Sequence, residues 1–408
     1  MAGNLTRREL LKGGSMIAVG LVTPRWLSTI AKADIIRMGQ GGKPPKDTVL
    51  VVCQFSGGND GLNTVIPYAD KAYYTWRPTI GIPEEQVLKL SDHMGLHPSL
   101  AGMQTLFKEG KVAVIQNVGY PNPNRSHFKS MDIWQSASPE QAMKYGWIGR
   151  HFDQQIELGP LNPVVALGLS TEKPLALTGD RASIPCFASL VDLKSMVGDP
   201  DAEKMLRDIQ GGMESTPNQK VVQEANNTAL DAMSILNTKL ATYSTKQDYG
   251  THSFGKGFQQ MAQIIATSPS TRVLYFANGG FDTHANQRAT QDALLAGFDK
   301  GITAFQREME SLGMADRVIV LTFSEFGRRV GENGSAGTDH GTAAPMFVVG
   351  KRVKGGFHGP IPNLNDLDNG DLKFQVDFRE VYAATLDQWM GGDSEVVLGQ
   401  KFQHAAVL

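Results

Sequence analysis

Apolar positions along the chain gather in short continuous runs: Thr48–Phe55, Lys111–Val118, Pro163–Leu169, Arg272–Ala277, Arg317–Phe323 and Met346–Gly350. Runs of this length, rich in β-branched residues, suit parallel strands covered on both faces. Between and after them the spacing changes to that of amphipathic helices, over Gln287–Leu312 and Phe378–Met390. The alternation predicts an open α/β structure, a mostly parallel central sheet flanked by helices. Residues 189–250 break the rhythm, being polar and rich in Met and Gln, with helical spacing and Pro/Gly punctuation. They read as a helical insertion or cap between the two halves of the sheet.

Composition narrows the classes. At 41% hydrophobic, the 408 residues can bury a substantial core, which excludes wholesale disorder. Lys plus Arg (39) nearly balance Asp plus Glu (41), so the basic excess of a nucleic-acid binder is absent. Two cysteines cannot build a disulfide scaffold, and Cys53, inside an apolar run, reads as a small buried hydrophobe. The N-terminus carries Arg7-Arg8 in a twin-arginine box, an apolar stretch from Met16 to Val22, and Ala31-Lys32-Ala33 as a cleavage site. In that order they predict a signal peptide over 1–33, the twin-arginine translocase as export partner, and a periplasmic or secreted bacterial destination. The five basic residues and one acid of that segment leave the remainder at −6. With no further apolar run of 18 residues, the mature chain is expected to lack a transmembrane segment.

In open α/β sheets ligands bind beyond the carboxyl ends of the strands, so the segments after each run hold the candidate chemistry. Ser56-Gly57-Gly58-Asn59-Asp60 follows the first run and offers Asp60 as a hard oxygen ligand, or a tight Gly-rich turn. Arg125-Ser126-His127 follows the second: a guanidinium, a hydroxyl that could be a nucleophile or a helix N-cap, and an imidazole. Asp282-x-His284 stands in a glycine-rich loop before a helix and reads as a metal-ligand pair. Glu325 with Arg328 one turn on suggests metal and anion chemistry together, or a structural ion pair. His340, before the last run, is placed to converge with Asp282, His284 and Glu325.

These motifs in order resemble the domain-of-unknown-function 1501 family: Phe55-Ser56-Gly57-Gly58-Asn59-Asp60-Gly61-Leu62-Asn63-Thr64, Ser126-His127-Phe128, Gly280-Phe281-Asp282-Thr283-His284, Ser324-Glu325-Phe326-Gly327-Arg328 and Thr338-Asp339-His340-Gly341. The family more remotely resembles the alkaline phosphatase and sulfatase superfamily. That resemblance implies an alkaline-phosphatase-like fold and a hydrolase of phosphate or sulfate esters. It also implies one or two divalent ions, zinc, manganese or calcium, held by Asp60, Asp282, His284, Glu325 and His340. Ser126 would be the nucleophile, beside His127, and Arg125 or Arg328 would neutralise the ester oxygens. The pattern departs from the superfamily in three places. Asp282 and His284 are separated by one residue rather than three, Ser324-Glu325 replaces an Asp-His pair, and no Cys/Ser-x-Pro-x-Arg context for formylglycine exists. A non-catalytic binding or envelope-assembly protein is the competing expectation. A nucleotide pyrophosphatase-like loop at Ser56–Asp60 is a third, weakened by Gly61 where that loop has Ser.

Overall fold

The computed structural model describes residues 47–190, 217–240 and 242–408. The signal segment expected over 1–33 lies outside the described residues, as does 191–216 of the expected insertion. Nine strands form the main sheet: β1 (Val49–Phe55), β2 (Val112–Gly119), β3 (Ala166–Leu169), β4 (Cys186–Phe187), β5 (Val273–Asn278), β6 (Val318–Ser324), β7 (Ala344–Val349), β8 (Gly356–His358) and β9 (Val376–Asp377). Their order is β8-β2-β7-β6-β1-β5-β3-β4, with β9 also pairing with β2. Pairing is parallel except around β7, which runs against both β2 and β6.

The continuous apolar run of β1 has a simple cause. Successive side chains of a strand point to opposite faces, and here both faces are covered. Val49, Val51, Cys53 and Phe55 pack with Phe254, Phe258, Phe298 and Phe305, from helices α5 (Ser253–Thr267) and α6 (Gln287–Ser311). Leu50 and Val52 pack with Trp134, Trp147 and Tyr382, from α2 (His127–Ser136), α3 (Trp147–Ile156) and α7 (Phe378–Ala384). The first layer also takes α1 (Ala101–Lys108) and α4 (Pro217–Leu240), through Met103 and Leu106 and through Leu230, Met233 and Leu236. Helix α4 is the helical segment described within the polar 189–250 stretch, and its apolar stripe joins the same core layer as α5. The helix expected over Phe378–Met390 is α7 followed by a π-helical segment, Thr385–Met390, closed by Gly391 at φ 67°. Among the described residues no helix is long and apolar enough to cross a membrane.

Register decides what meets at the edge of the sheet. Phe55 at the end of β1 aligns with Asn278 of β5 and Ser324 of β6, so the three following loops leave at one level. Because β7 is antiparallel, its beginning lies at that same end, and the loop carrying His340 arrives there too.

Candidate metal centre

Gly57, at φ 119°, lets the β1 loop lie against the β5 loop; a Cβ there would sit 2.4 Å from the Asp282 backbone nitrogen. Glycine at this position therefore brings backbone to backbone, rather than backbone to ligand. Gly337 plays a similar part, since a Cβ would fall 2.3 Å from the His284 carbonyl carbon. Arg328, buried in full, ties these loops together. Its Nε donates to Gly58 O (2.7 Å), Nη1 to Thr338 O (2.8 Å), and Nη2 to Phe281 O (2.9 Å), Asp282 Oδ1 (2.8 Å) and Gly57 O.

His127, Asp282 and His340 each point one ligand atom into a common space, all within 4.8 Å of one another. His284 stands against two of them, with Nε2 3.0 Å from both Asp282 Oδ1 and His340 Nε2. His340 Nε2 is 3.1 Å from Asp282 Oδ1, and His127 Nε2 is 3.4 Å from Asp282 Oδ2. Ligand atoms about 2.0–2.1 Å from a tetrahedral zinc ion stand about 3.3 Å apart, so these spacings suit one divalent ion.

The outer nitrogens settle the tautomers. His340 Nδ1 faces the Arg125 carbonyl at 2.8 Å, which can only accept, so Nδ1 carries the proton. His127 Nδ1 faces Glu325 Oε1 at 2.9 Å and His284 Nδ1 faces Asp339 Oδ1 at 3.1 Å, and carboxylates impose the same tautomer. All three Nε2 atoms are then turned inward, toward Asp282 and one another, where each can offer a lone pair to a cation. His127 Nε2 is buried without a hydrogen-bond partner. Two inward lone pairs at 3.0 Å repel unless a shared proton or a cation lies between them. An imidazole fixed through its outer N–H by a carboxylate or carbonyl is the usual support of a metal-bound histidine. The residues present therefore fit a divalent metal. Burial pushes the Asp282 carboxyl up, but hydrogen bonds from Arg328 and His340 and the charge of Arg328 outweigh it and hold the group at about 2. The His284 hydrogen bond likewise draws Asp339 below the usual carboxylate range.

The remaining expected residues sit elsewhere. Glu325 stands behind His127 and also accepts from the Gly57 amide at 2.8 Å, so it orients a ligand. Asp60 does not join the cluster. Its carboxylate is taken up by Arg77 Nη1 at 2.6 Å, by Gln287 Nε2 and by the Asn63 amide, all buried, and it caps the one-turn helix Gly61–Thr64. The Arg125 guanidinium turns away to pair with the buried Asp371. Arg328 is consumed by the loops it holds. Ser126 occupies the N-cap position of α2 but its side chain makes no cap bond, and it is exposed. Beside the cluster opens a cleft of about 390 Å³ lined by Ser56, Gly57, His127, Phe128, Met131, Asp282 and Glu325. Sequence reasoning missed Asp339 as a support of His284. Its adjacency to His340 in Thr338-Asp339-His340-Gly341 was the available signal.

The family described as "Protein of unknown function (DUF1501)" matches residues 46–399. The chain belongs to this family. In this DUF1501 chain the match spans every residue of the cluster. No curated protein matches the sequence. Among solved structures it is similar to the PsFucS1 sulfatase from Pseudoalteromonas sp., at 10% identity and TM-score 0.38, over 94% of this chain and 75% of that one. The C-terminal periplasmic domain of EcEptC from Escherichia coli in complex with Zn aligns at 7% identity and TM-score 0.36, over 76% and 74%. A protein in the alkaline phosphatase superfamily from Vibrio parahaemolyticus aligns at 10% and 0.33, over 81% and 71%.

Proposed function

We propose that this DUF1501 protein is an exported metal-dependent hydrolase of phosphate or sulfate esters. The observation that carries the reading is the convergence of His127, Asp282 and His340, with His284 against the last two and each imidazole fixed from behind by its own acceptor. His127, Asp282, His284 and His340 would hold the ion, and an imidazole-rich set with one carboxylate favours zinc. A bound divalent ion lowers the pKa of a hydroxyl or water and polarises an ester oxygen. The chain's own part is placement. Glu325, Asp339 and the Arg125 carbonyl hold the imidazole rings, and Arg328 holds Asp282 and the loops around it. Ser126 would supply the nucleophilic hydroxyl, its side chain being free of a cap bond. Export through the twin-arginine route, as a protein folded before translocation, is part of the same proposal.

One observation favours the second reading, a non-catalytic binding protein: Ser126 is exposed and is not among the residues that line the cleft. Elemental analysis of purified wild type and of an Asp282→Ala/His284→Ala variant tests the metal site. About one equivalent in the wild type and none in the variant is expected. Wild type that stays metal-free after reloading with zinc, manganese or calcium overturns the hydrolase. Metal without turnover of any aryl phosphate or sulfate leaves the binding reading.

A further inference from the structure

The cleft beside the cluster has an unusual charge pattern for a site that handles anions. Its ionisable lining is Asp282 and Glu325 with His127, and among the described residues no lysine or arginine lines it. Both arginines that the sequence offers for neutralising ester oxygens are committed. Arg125 pairs with Asp371, a carboxylate only 1% exposed, and the Arg328 guanidinium spends its N–H groups on Gly57, Gly58, Phe281, Thr338 and Asp282. Around the cluster, Asp282, Glu325 and Asp339 bring three negative charges against Arg328 within it and Arg329 beside Asp339. A divalent ion would then leave one positive charge in excess, matched to a singly charged group and short of a doubly charged one. Unlike charges in a partly enclosed site interact more strongly than in water, so one uncompensated charge weighs heavily there.

The rest of the lining is neutral or apolar. Phe128, next to His127 at the start of α2, is 85% exposed, and Met131 lies one turn on. An exposed aromatic and a polarizable thioether at the mouth of a cleft form an apolar wall. Ser56 is the one hydroxyl in the lining among the described residues. Its Oγ accepts from Gln54 Nε2 at 2.6 Å, and Gln54 is itself fixed by Gln135 Nε2 at 3.0 Å and by the Tyr275 hydroxyl, both on Oε1. This network explains a glutamine inside an otherwise apolar strand. With its lone pair engaged by Gln54, the Ser56 hydroxyl keeps its proton for an acceptor in the cleft.

We infer that the cleft takes an ester group with a single negative charge and an apolar substituent beside it, a sulfate monoester or a phosphate diester, and discriminates against phosphate monoester dianions. Phe128 and Met131 contact the substituent, and Ser56 donates to an ester oxygen. This rests on the metal-hydrolase reading above, and the test separates the two. Zinc-loaded full chain, its metal content confirmed by elemental analysis, is titrated by calorimetry at pH 8 with diphenyl phosphate, a monoanion, and phenyl phosphate, a dianion. At least tenfold tighter binding of diphenyl phosphate is expected. Phe128→Ala should weaken diphenyl phosphate by about tenfold, leave dimethyl phosphate unchanged and leave bound zinc unchanged. Met131→Lys, which places a cation in the wall, should improve phenyl phosphate about tenfold. Turnover of p-nitrophenyl sulfate against bis(p-nitrophenyl) phosphate then distinguishes the two sources of a monoanion. Zinc bound with phenyl phosphate equal or tighter, or with neither ligand bound, overturns this inference while the metal site stands. Absence of bound zinc overturns the hydrolase reading and this inference with it.

Discussion

Asp60 and Asp282 both follow central parallel strands, both stand in glycine-rich loops, and both were candidates for the same metal. Asp60 is buried to 1% exposure and meets a guanidinium, a side-chain amide and a backbone amide. Its partner Arg77 is buried as well and also donates to Asn63 Oδ1 and to the Val330 carbonyl, so the group forms a closed, satisfied network. Asp282 keeps a side chain 47% exposed and, apart from the Arg328 guanidinium, faces the inner nitrogens of His127, His284 and His340. The contrast lies in the donors. A strand-end carboxylate closed in by fixed N–H donors is part of the scaffold, whereas one that shares an open space with imidazole nitrogens can join them around a cation.

The largest effect should come from breaking the closed network. Asp60→Ala leaves Arg77 charged and unpaired in the interior and is expected to cost about 3–5 kcal/mol in denaturant unfolding at neutral pH. Asp282→Ala should cost the metal-free protein less than Asp60→Ala, because Asp282 is half exposed and buried Arg328 keeps its four carbonyl acceptors. Its cost is the bound metal. Equal destabilisation by the two variants would erase the distinction.

A third ionisable group, His151, has neither kind of partner: it is buried, its Nδ1 is unpaired, and desolvation lowers its pKa to about 4. The unfolded chain therefore takes up this proton first as pH falls. Stability should drop between about pH 6.5 and 4, by about 3 kcal/mol from this residue. Denaturation of wild type and His151→Gln across that range should show the slope in the former and lose it in the latter. A smaller effect is expected at the open cluster. Asp339→Asn removes the charge behind His284 and should weaken metal binding by about 10–100-fold while leaving unfolding of the metal-free protein unchanged. Metal titration followed by competition with a chelator reads this directly, and unchanged affinity would remove Asp339 from the site.

Hydrophobic periodicity alone determined the strands β1, β2, β3, β5, β6 and β7 and the helix Gln287–Ser311, to within a few residues at each end. These patterns are local, because a strand covered on both faces must be apolar at every position. The same patterning placed His127, Asp282, His284 and His340 in segments next to strand ends. Tertiary structure decided which acids serve which purpose. His340 reaches the cluster because β7 runs antiparallel, a direction that an apolar run does not encode. Asp60 is withdrawn by Arg77 and by Gln287, the latter 227 positions away, and Glu325 is set behind His127 by a separation of 198. Whether a carboxylate is a ligand or a brace depends on the donors around it, and those arrive from distant parts of the chain.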